Sequence, residues 1–190
     1  HFEPLPPSRL GALRDASLVE IATVVGAHLL RGEITEEALA PLVADALDFP
    51  VPLVQITERI WVLELFHGPT FAFKDVGART MARLMAYFVA PGDRFTVLVA
   101  TSGDTGSAVA QASGGLAGTR VVVLFPEGQA SAVQEAQFTR PGGNVKAVAV
   151  EGTFDDCQAM VKAAFADAGV RRRAGLTSAN SINVGRLLPQ

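Results

Sequence analysis

The sequence has a single cysteine, Cys157, among 190 residues. A single cysteine excludes an intrachain disulfide and favours a reducing compartment, which predicts a cytoplasmic protein. The surrounding stretch FDDCQAM places two aspartates beside the thiol, and negative neighbours disfavour a reactive thiolate. We therefore predict that Cys157 packs in the interior and takes no part in chemistry.

Long apolar runs and strong charge of one sign are also lacking. No apolar run approaches the ~18 residues that a bilayer-spanning helix needs, and no charged-then-apolar leader opens the chain. The formal net charge is −3, and the only basic run is the short Arg171-Arg172-Arg173. These absences predict neither a membrane nor a nucleic-acid partner. No metal site is predicted either.

The remaining composition is that of a globular α/β protein, with 49% hydrophobic and 18% charged residues. Residues 1–55 show helical spacing and predict a small helical segment, whereas residues 56–190 predict an α/β domain. In the second part, β-rich runs alternate with turns and helical patterns, which indicates a parallel sheet. The runs are continuously apolar, so helices are expected on both faces of the sheet. The predicted strands lie at 94–100, 120–125, 144–150 and 175–180.

Lysine is rare as well, at three residues against thirteen arginines, yet one lysine lies in the apolar stretch ELFHGPTFAFKDVGAR, residues 64–79. Gly68-Pro69-Thr70 is typical of a turn that leads into a helix, so a helix is predicted over residues 71–89. Lys74 would then lie in the first turn. The positive end of the helix dipole and the flanking phenylalanines disfavour a charged amine there. A neutral amine of this kind forms a Schiff base with a carbonyl compound.

An alternative for Lys74 is structural. Its side chain would extend to solvent along apolar neighbours and pair with Asp75 or Glu64. The two other lysines have no comparable apolar loop, because Lys146 falls in a predicted strand and Lys162 in a predicted helix.

A second loop of small residues, Thr101 to Gly106 in VLVATSGDTGSAVA, connects a predicted strand to a predicted helix. Small residues permit a tight turn with backbone N–H groups available at a helix N-terminus, which is a geometry that binds phosphate or carboxylate. In an open parallel sheet, ligands bind at the carboxyl ends of the strands. The alternative is that Asp104 or Thr105 only caps the helix. The loop matches neither the dinucleotide nor the P-loop fingerprint.

Five segments together resemble threonine synthases, which are pyridoxal-phosphate enzymes of the tryptophan-synthase-β-like fold (fold type II). In chain order they are LELFHGPTFAFKDVGARTMARLM, ATSGDTGSAVA, LFPEGQASAVQEAQF, VEGTFDDCQAMVKAAF and NSINVGRLLPQ. The resemblance covers most of residues 61–190 and agrees in order and spacing. It implies part of that fold and a carbon–oxygen lyase that converts O-phosphohomoserine and water into threonine and phosphate.

The resemblance also implies roles for particular residues. Lys74 would bind pyridoxal phosphate as a Schiff base and would then serve as general base and acid. Asp104 would face the 3′-oxygen of the cofactor, where many relatives have an asparagine. Arg186 would bind the substrate phosphate, although a salt bridge on a helix surface is an equal alternative. The residues implied to bind substrate are Thr101, Ser102, Gly103, Thr105, Asn183 and Arg186.

Two departures from the family pattern limit this interpretation. The family's glycine- and asparagine-rich loop for the cofactor phosphate would lie downstream of SINVGRLLPQ, and the family's extreme N-terminal segment is not recognisable. We therefore expect the amino-terminal portion of the enzyme, which binds pyridoxal phosphate poorly and turns over little when alone. The oligomeric state is left open between monomer and homodimer.

Three other functions stay open at this point. One is another enzyme of the same fold, such as a threonine or serine dehydratase. Another is a non-catalytic module that keeps the fold without its chemistry. The last is a nucleotide-binding regulator built on the same strand–helix repeat.

Overall fold

The computed structural model describes residues 3–181 and 183–189. Its first helices are α1 (Pro7–Ala12), α2 (Leu18–Leu29) and α3 (Glu36–Ala46). Ser17 and Glu20 form a reciprocal capping box at the start of α2, and the Thr35 hydroxyl accepts the Ala38 N–H at the start of α3. These caps confirm the helical character predicted for the first segment.

A central sheet of four parallel strands occupies the larger part of the fold, and its strands are β3 (Phe95–Ala100), β4 (Thr119–Pro126), β5 (Val145–Val150) and β6 (Leu176–Thr177). Their order across the sheet is β5–β4–β3–β6. The predicted parallel sheet is confirmed. The fourth strand is much shorter than predicted, because β6 pairs only with Thr96 and Val97 of β3.

Helices cover both faces of this sheet, as its continuous apolar strands predict. They are α4 (Lys74–Phe88), α5 (Asp104–Ser113), α6 (Ala132–Thr139), α7 (Phe154–Ala166), α8 (Ala168–Ala174) and α9 (Val184–Leu187). Along β3, Val97 and Val99 pack into a core cluster with α4, α5 and α6. Leu98, on the opposite face, packs with Cys157 of α7. Both faces of β3 are therefore covered by helices and shielded from solvent, as expected for a central parallel strand.

Cys157 is fully buried in this second cluster, which confirms its predicted packing role. Burial, together with the nearby Asp156, raises the pKa of its thiol. A thiol with a raised pKa is a poor nucleophile at neutral pH. No helix in the described ranges is long and apolar enough to cross a membrane.

Two local predictions differ from the structure. A hairpin of β1 (Leu53–Gln55) and β2 (Trp61–Leu63) crosses residue 55, where the helical segment was predicted to end. The helix predicted to start at Phe71 begins three residues later, at Lys74. The reason is that the Thr70 side chain binds Asp75 and does not cap the helix.

The first helices pack directly on α4. Leu84 of α4 lies in one cluster with Leu39 and Val43 of α3. Arg79, also on α4, is buried and donates hydrogen bonds to the Ala46 carbonyl at 2.7 Å and to the Asp48 carboxylate at 2.6 Å. These bonds tie the C-terminal end of α3 to the helix that starts with Lys74.

Candidate active site

The predicted glycine loop, residues 101–106, lies at the point where the order of strand connections across the sheet reverses. From β3 the chain continues to β4 and then β5 on one side, whereas β6 pairs with the other side of β3. Ligands in open α/β sheets bind outside the carboxyl ends of the strands at such a switch point. The carboxyl end of β3 leads into residues 101–106, and the carboxyl end of β6 leads into residues 178–181.

Lys74 and Asp104 meet at this switch point. The Nζ atom of Lys74 lies 3.3 Å from the Oδ2 atom of Asp104 and 4.6 Å from the centroid of the Phe73 ring. The side chain of Lys74 is 22% exposed, so it is directed along the cavity wall and not into open solvent. The alternative partners are wrong, since Asp75 binds Thr70 and Glu64 binds His67.

The turn before Lys74 is held by the fully buried Asp75. Thr70 donates its backbone N–H to Asp75 Oδ2 at 2.8 Å and its hydroxyl to Oδ1 at 2.6 Å. A Cβ atom at Gly68 would lie 2.5 Å from Asp75 Oδ2, so the close approach requires glycine. Phe71 has a φ of 60°, a conformation that is strained for a bulky side chain. Buried hydrogen bonds thus hold a strained turn that presents Lys74.

Gln134 holds the other side of Asp104, and the sequence patterns did not identify this role. Its Nε2 donates to Asp104 Oδ1 at 2.8 Å, while its Oε1 completes a capping box with Ser131 at the start of α6. The hydrogen bond from Gln134 is the main cause that lowers the pKa of Asp104, and Lys74 lowers it further against the opposing effect of burial. Asp104 is therefore a carboxylate at neutral pH, ready to accept hydrogen bonds.

Within the loop, the Thr101 hydroxyl stabilises the turn through hydrogen bonds to the backbone. It accepts the N–H groups of Gly103 at 3.0 Å and Gly106 at 2.9 Å, and it donates to the Gly103 carbonyl. The contact with substrate that the resemblance implies for Thr101 would therefore compete with these buried bonds. The side chains of Ser102 and Thr105 have no hydrogen bond in the described part of the chain and remain available. The capping alternative is wrong, because the N-cap of α5 is Gly103.

Two cavities meet at the Lys74 amine. The smaller, of about 220 Å³, is lined by Lys74, residues 100–105, Gln134 and Phe154. The larger, of about 460 Å³, lies on the β6 side and falls within the usual range for small-molecule sites. Lys74, Ala100 and Thr105 line both cavities. A molecule bound against the amine can therefore extend in two directions.

Arg186 and Asn183, the two predicted substrate-binding residues near the end of the chain, have different positions relative to the cavities. Arg186 lines the larger cavity and is only 4% exposed, so the alternative of a surface salt bridge is wrong. Its Nη1 donates to the Ala179 carbonyl at 2.7 Å. The side chain of Asn183 is fully engaged elsewhere, since it accepts the Gly185 N–H and donates to the Ser178 carbonyl. Asn183 thus shapes the loop that carries Arg186 and does not line either cavity.

A family model for "Pyridoxal-phosphate dependent enzyme" matches residues 47–184, which include the lysine turn, the glycine loop and all four strands of the parallel sheet. The chain belongs to this family. Threonine synthase of Haemophilus influenzae is 47% identical over 183 residues, which are 96% of this chain and 43% of that protein. Threonine synthase of Escherichia coli is 50% identical over 159 residues, which are 83% of this chain and 37% of that protein.

Solved structures agree with these sequence relatives. The pyridoxal-phosphate-bound threonine synthase from Brucella melitensis matches with a TM-score of 0.93 and 42% identity, over 100% of this chain and 42% of that one. The chain therefore spans less than half the length of the relatives that it matches. The α/β fold with a parallel sheet is that of the pyridoxal-phosphate dependent enzymes.

The residues of the site fit the cofactor of this family. Lys74 offers a primary amine for the cofactor aldehyde, and the adjacent Asp104 offers a carboxylate for its ring oxygen. Arg186 has a buried Nε without a hydrogen-bond partner in the described chain, and this suits an anionic ligand bound beside the cofactor. Both the donor set and the room beside Lys74 are therefore compatible with pyridoxal phosphate.

Proposed function

We propose that this chain is part of a threonine synthase, which converts O-phosphohomoserine and water into threonine and phosphate. One observation carries the proposal. Lys74 Nζ lies 3.3 Å from Asp104 in the glycine loop, at the switch point of a sheet that matches threonine synthases. This juxtaposition puts an amine, a carboxylate and a loop suited to anions within one small volume.

The chemistry divides between the cofactor and the protein. Pyridoxal phosphate, when bound, supplies an electron sink for the carbon atoms of an amino acid. Lys74 would hold the cofactor and, once released from it, would move protons at the α and β carbons of the substrate as general base and acid. Asp104 would orient the lysine, and Gln134 would keep that carboxylate ionised and in position.

The two ends of O-phosphohomoserine would occupy different cavities. The α-carboxylate would bind in the smaller cavity, to Ser102, Thr105 and the first N–H groups of α5. The phosphate would bind in the larger cavity, where Arg186 offers guanidinium N–H groups. The reacting carbons would then lie beside Lys74, which lines both cavities.

We assign this activity to the full-length polypeptide that contains the chain. The 190 residues by themselves are expected to bind pyridoxal phosphate weakly and to turn over little, because they cover 43% or less of the curated relatives quoted above. We also propose a cytoplasmic location, which the single buried cysteine supports.

The experiment is a substrate panel on the purified full-length enzyme. We expect phosphate release from O-phosphohomoserine with matching threonine formation, and no keto acid from threonine or serine. Lys74→Ala should abolish release, whereas Lys146→Ala, which changes an exposed lysine of β5, should not. Keto acid as the main product would assign a dehydratase instead. No turnover of any panel member by the holoenzyme would favour a non-catalytic module.

A further inference from the structure

Every charged side chain that lines the larger cavity is a cation. These are Lys162, Arg186 and Lys74, of which Lys74 is paired with Asp104, and no carboxylate is among the lining residues that the structure describes. The chain as a whole carries a formal net charge of −3, whereas the charged side chains of this cavity are positive. Cations gathered in a concave site attract an anion, because low-dielectric walls concentrate their field.

Arg186 forms the buried part of this wall. Its Nε has no hydrogen-bond partner in the described ranges, although the side chain is 4% exposed. Burial lowers the pKa of Arg186, because the charged form has lost part of its hydration. An unpaired buried guanidinium nitrogen is costly, and a bound anion would compensate for this cost.

Lys162 and Gln158 form a second part of the wall, on α7. They are four residues apart and therefore lie on the same face of that helix. Lys162 has no ion pair among residues 3–181 and 183–189, and the half-buried Gln158 has no hydrogen bond there. Gln111, Gln129 and Gln134, in contrast, each donate to a protein acceptor. The charge of Lys162 and the amide of Gln158 are thus free for a ligand.

We propose that Lys162 and Gln158, together with Arg186, form a binding site for the phosphate monoester of the amino-acid substrate. The inference rests on the proposed function and adds two specificity residues to it. Lys162 supplies a charge at the mouth of the cavity, and Gln158 supplies amide N–H groups. Lys74 lies between this site and the smaller cavity, where the α-carboxylate would bind. The enzyme would therefore select substrates by the distance between their carboxylate and phosphate groups.

The test compares Lys162→Ala, Lys162→Arg and Gln158→Ala with wild type in the full-length holoenzyme. For Lys162→Ala we expect the KM for O-phosphohomoserine to rise about tenfold, the low end for a lost charge-assisted hydrogen bond, with a smaller change in kcat. Lys162→Arg should recover most of the loss, because it keeps the charge. Lys146→Ala is the matched control, since it removes one exposed positive charge outside the cavity.

Two further measurements separate the possible sources of the phosphate. Inorganic phosphate should inhibit wild type competitively and Lys162→Ala about tenfold more weakly, whereas the Kd for pyridoxal phosphate should stay within about twofold. A weaker Kd for the cofactor with unchanged inhibition would place the cofactor phosphate here and overturn the substrate assignment. Unchanged KM and unchanged inhibition would refute the site.

The outcome is separable from that of the proposed function. If wild type does not turn over O-phosphohomoserine, the proposed function fails. Binding of inorganic phosphate to wild type and to Lys162→Ala, followed by ³¹P NMR, still reports on the site. Equal phosphate affinities of the two proteins would then overturn the inference.

Discussion

Replacing Asp75 by alanine tests how the turn before Lys74 is held. Asp75 is fully buried and accepts two hydrogen bonds from Thr70, at 2.8 Å from the backbone N–H and at 2.6 Å from the hydroxyl. Thr70 is itself buried. In Asp75→Ala both Thr70 donors therefore lose their acceptor in a place with little water.

The expected loss follows from these two donors. A buried donor left without a partner costs about 1–3 kcal/mol, so two such donors cost about 2–6 kcal/mol. Relaxation of the exposed neighbouring turn reduces this sum, and we expect a loss of about 3 kcal/mol in the free energy of unfolding. Asp75→Asn keeps an acceptor for the N–H and offers an amide to the hydroxyl, so its loss should be about 1 kcal/mol.

Urea unfolding of the full-length protein and its variants measures these losses. Asp155→Ala is the matched control, because Asp155 is exposed on α7 and should change stability by less than about 0.5 kcal/mol. Cofactor attachment should also slow in Asp75→Ala, since Lys74 lies directly between Thr70 and Asp75 in the turn. A loss below about 1 kcal/mol for Asp75→Ala would refute the reasoning.

Three further predictions concern the same region. Gly68→Ala should lower the free energy of unfolding by about 1–3 kcal/mol in urea titrations, because its Cβ would lie 2.5 Å from Asp75 Oδ2. Phe71→Gly should raise stability by about 0.5–1 kcal/mol, since φ is 60° and the side chain is 75% exposed, whereas Phe73→Gly should not. Carboxyl ¹³C NMR should give Asp104 a pKa below the ordinary value of 3.8.

Controls for these predictions use the same chain. At Gly11 a Cβ would meet nothing within 4 Å, so Gly11→Ala should not destabilise, unlike Gly68→Ala. The pKa of Asp104 is lower in the folded protein than in the unfolded chain, so ionised Asp104 adds to the free energy of unfolding. This contribution is complete above pH 3.8 and is lost as the pH falls through the folded pKa. In Gln134→Ala this pKa should rise toward 3.8, and no change there would contradict the assigned cause.

The architecture could be predicted because its signals are local and periodic. The apolar runs at β3, β4 and β5, together with the helical patterns between them, predict a parallel sheet. The resemblance to threonine synthases implied that Lys74 and Asp104 lie together, because both would contact the same cofactor, and Lys74 Nζ does lie 3.3 Å from Asp104 Oδ2.

Contacts that depend on packing between distant elements could not be predicted. No pattern in the sequence predicts the hydrogen bond from Gln134 to Asp104, because this bond requires α6 to pack beside α5. Lys162 had no apolar loop around it and so gave no signal, yet α7 brings it to the cavity that Arg186 lines. The start of α4 was misplaced, because Thr70 binds Asp75 across the turn.

The most direct test of the account locates the attachment point of the cofactor. The full-length holoenzyme is reduced with borohydride, digested, and mapped by mass spectrometry for a pyridoxyl group. We predict the group on the peptide that contains Lys74, in near-stoichiometric yield, with Lys146 and Lys162 unmodified. A pyridoxyl group found mainly on another lysine, or spread over several surface lysines, would contradict the central role of Lys74.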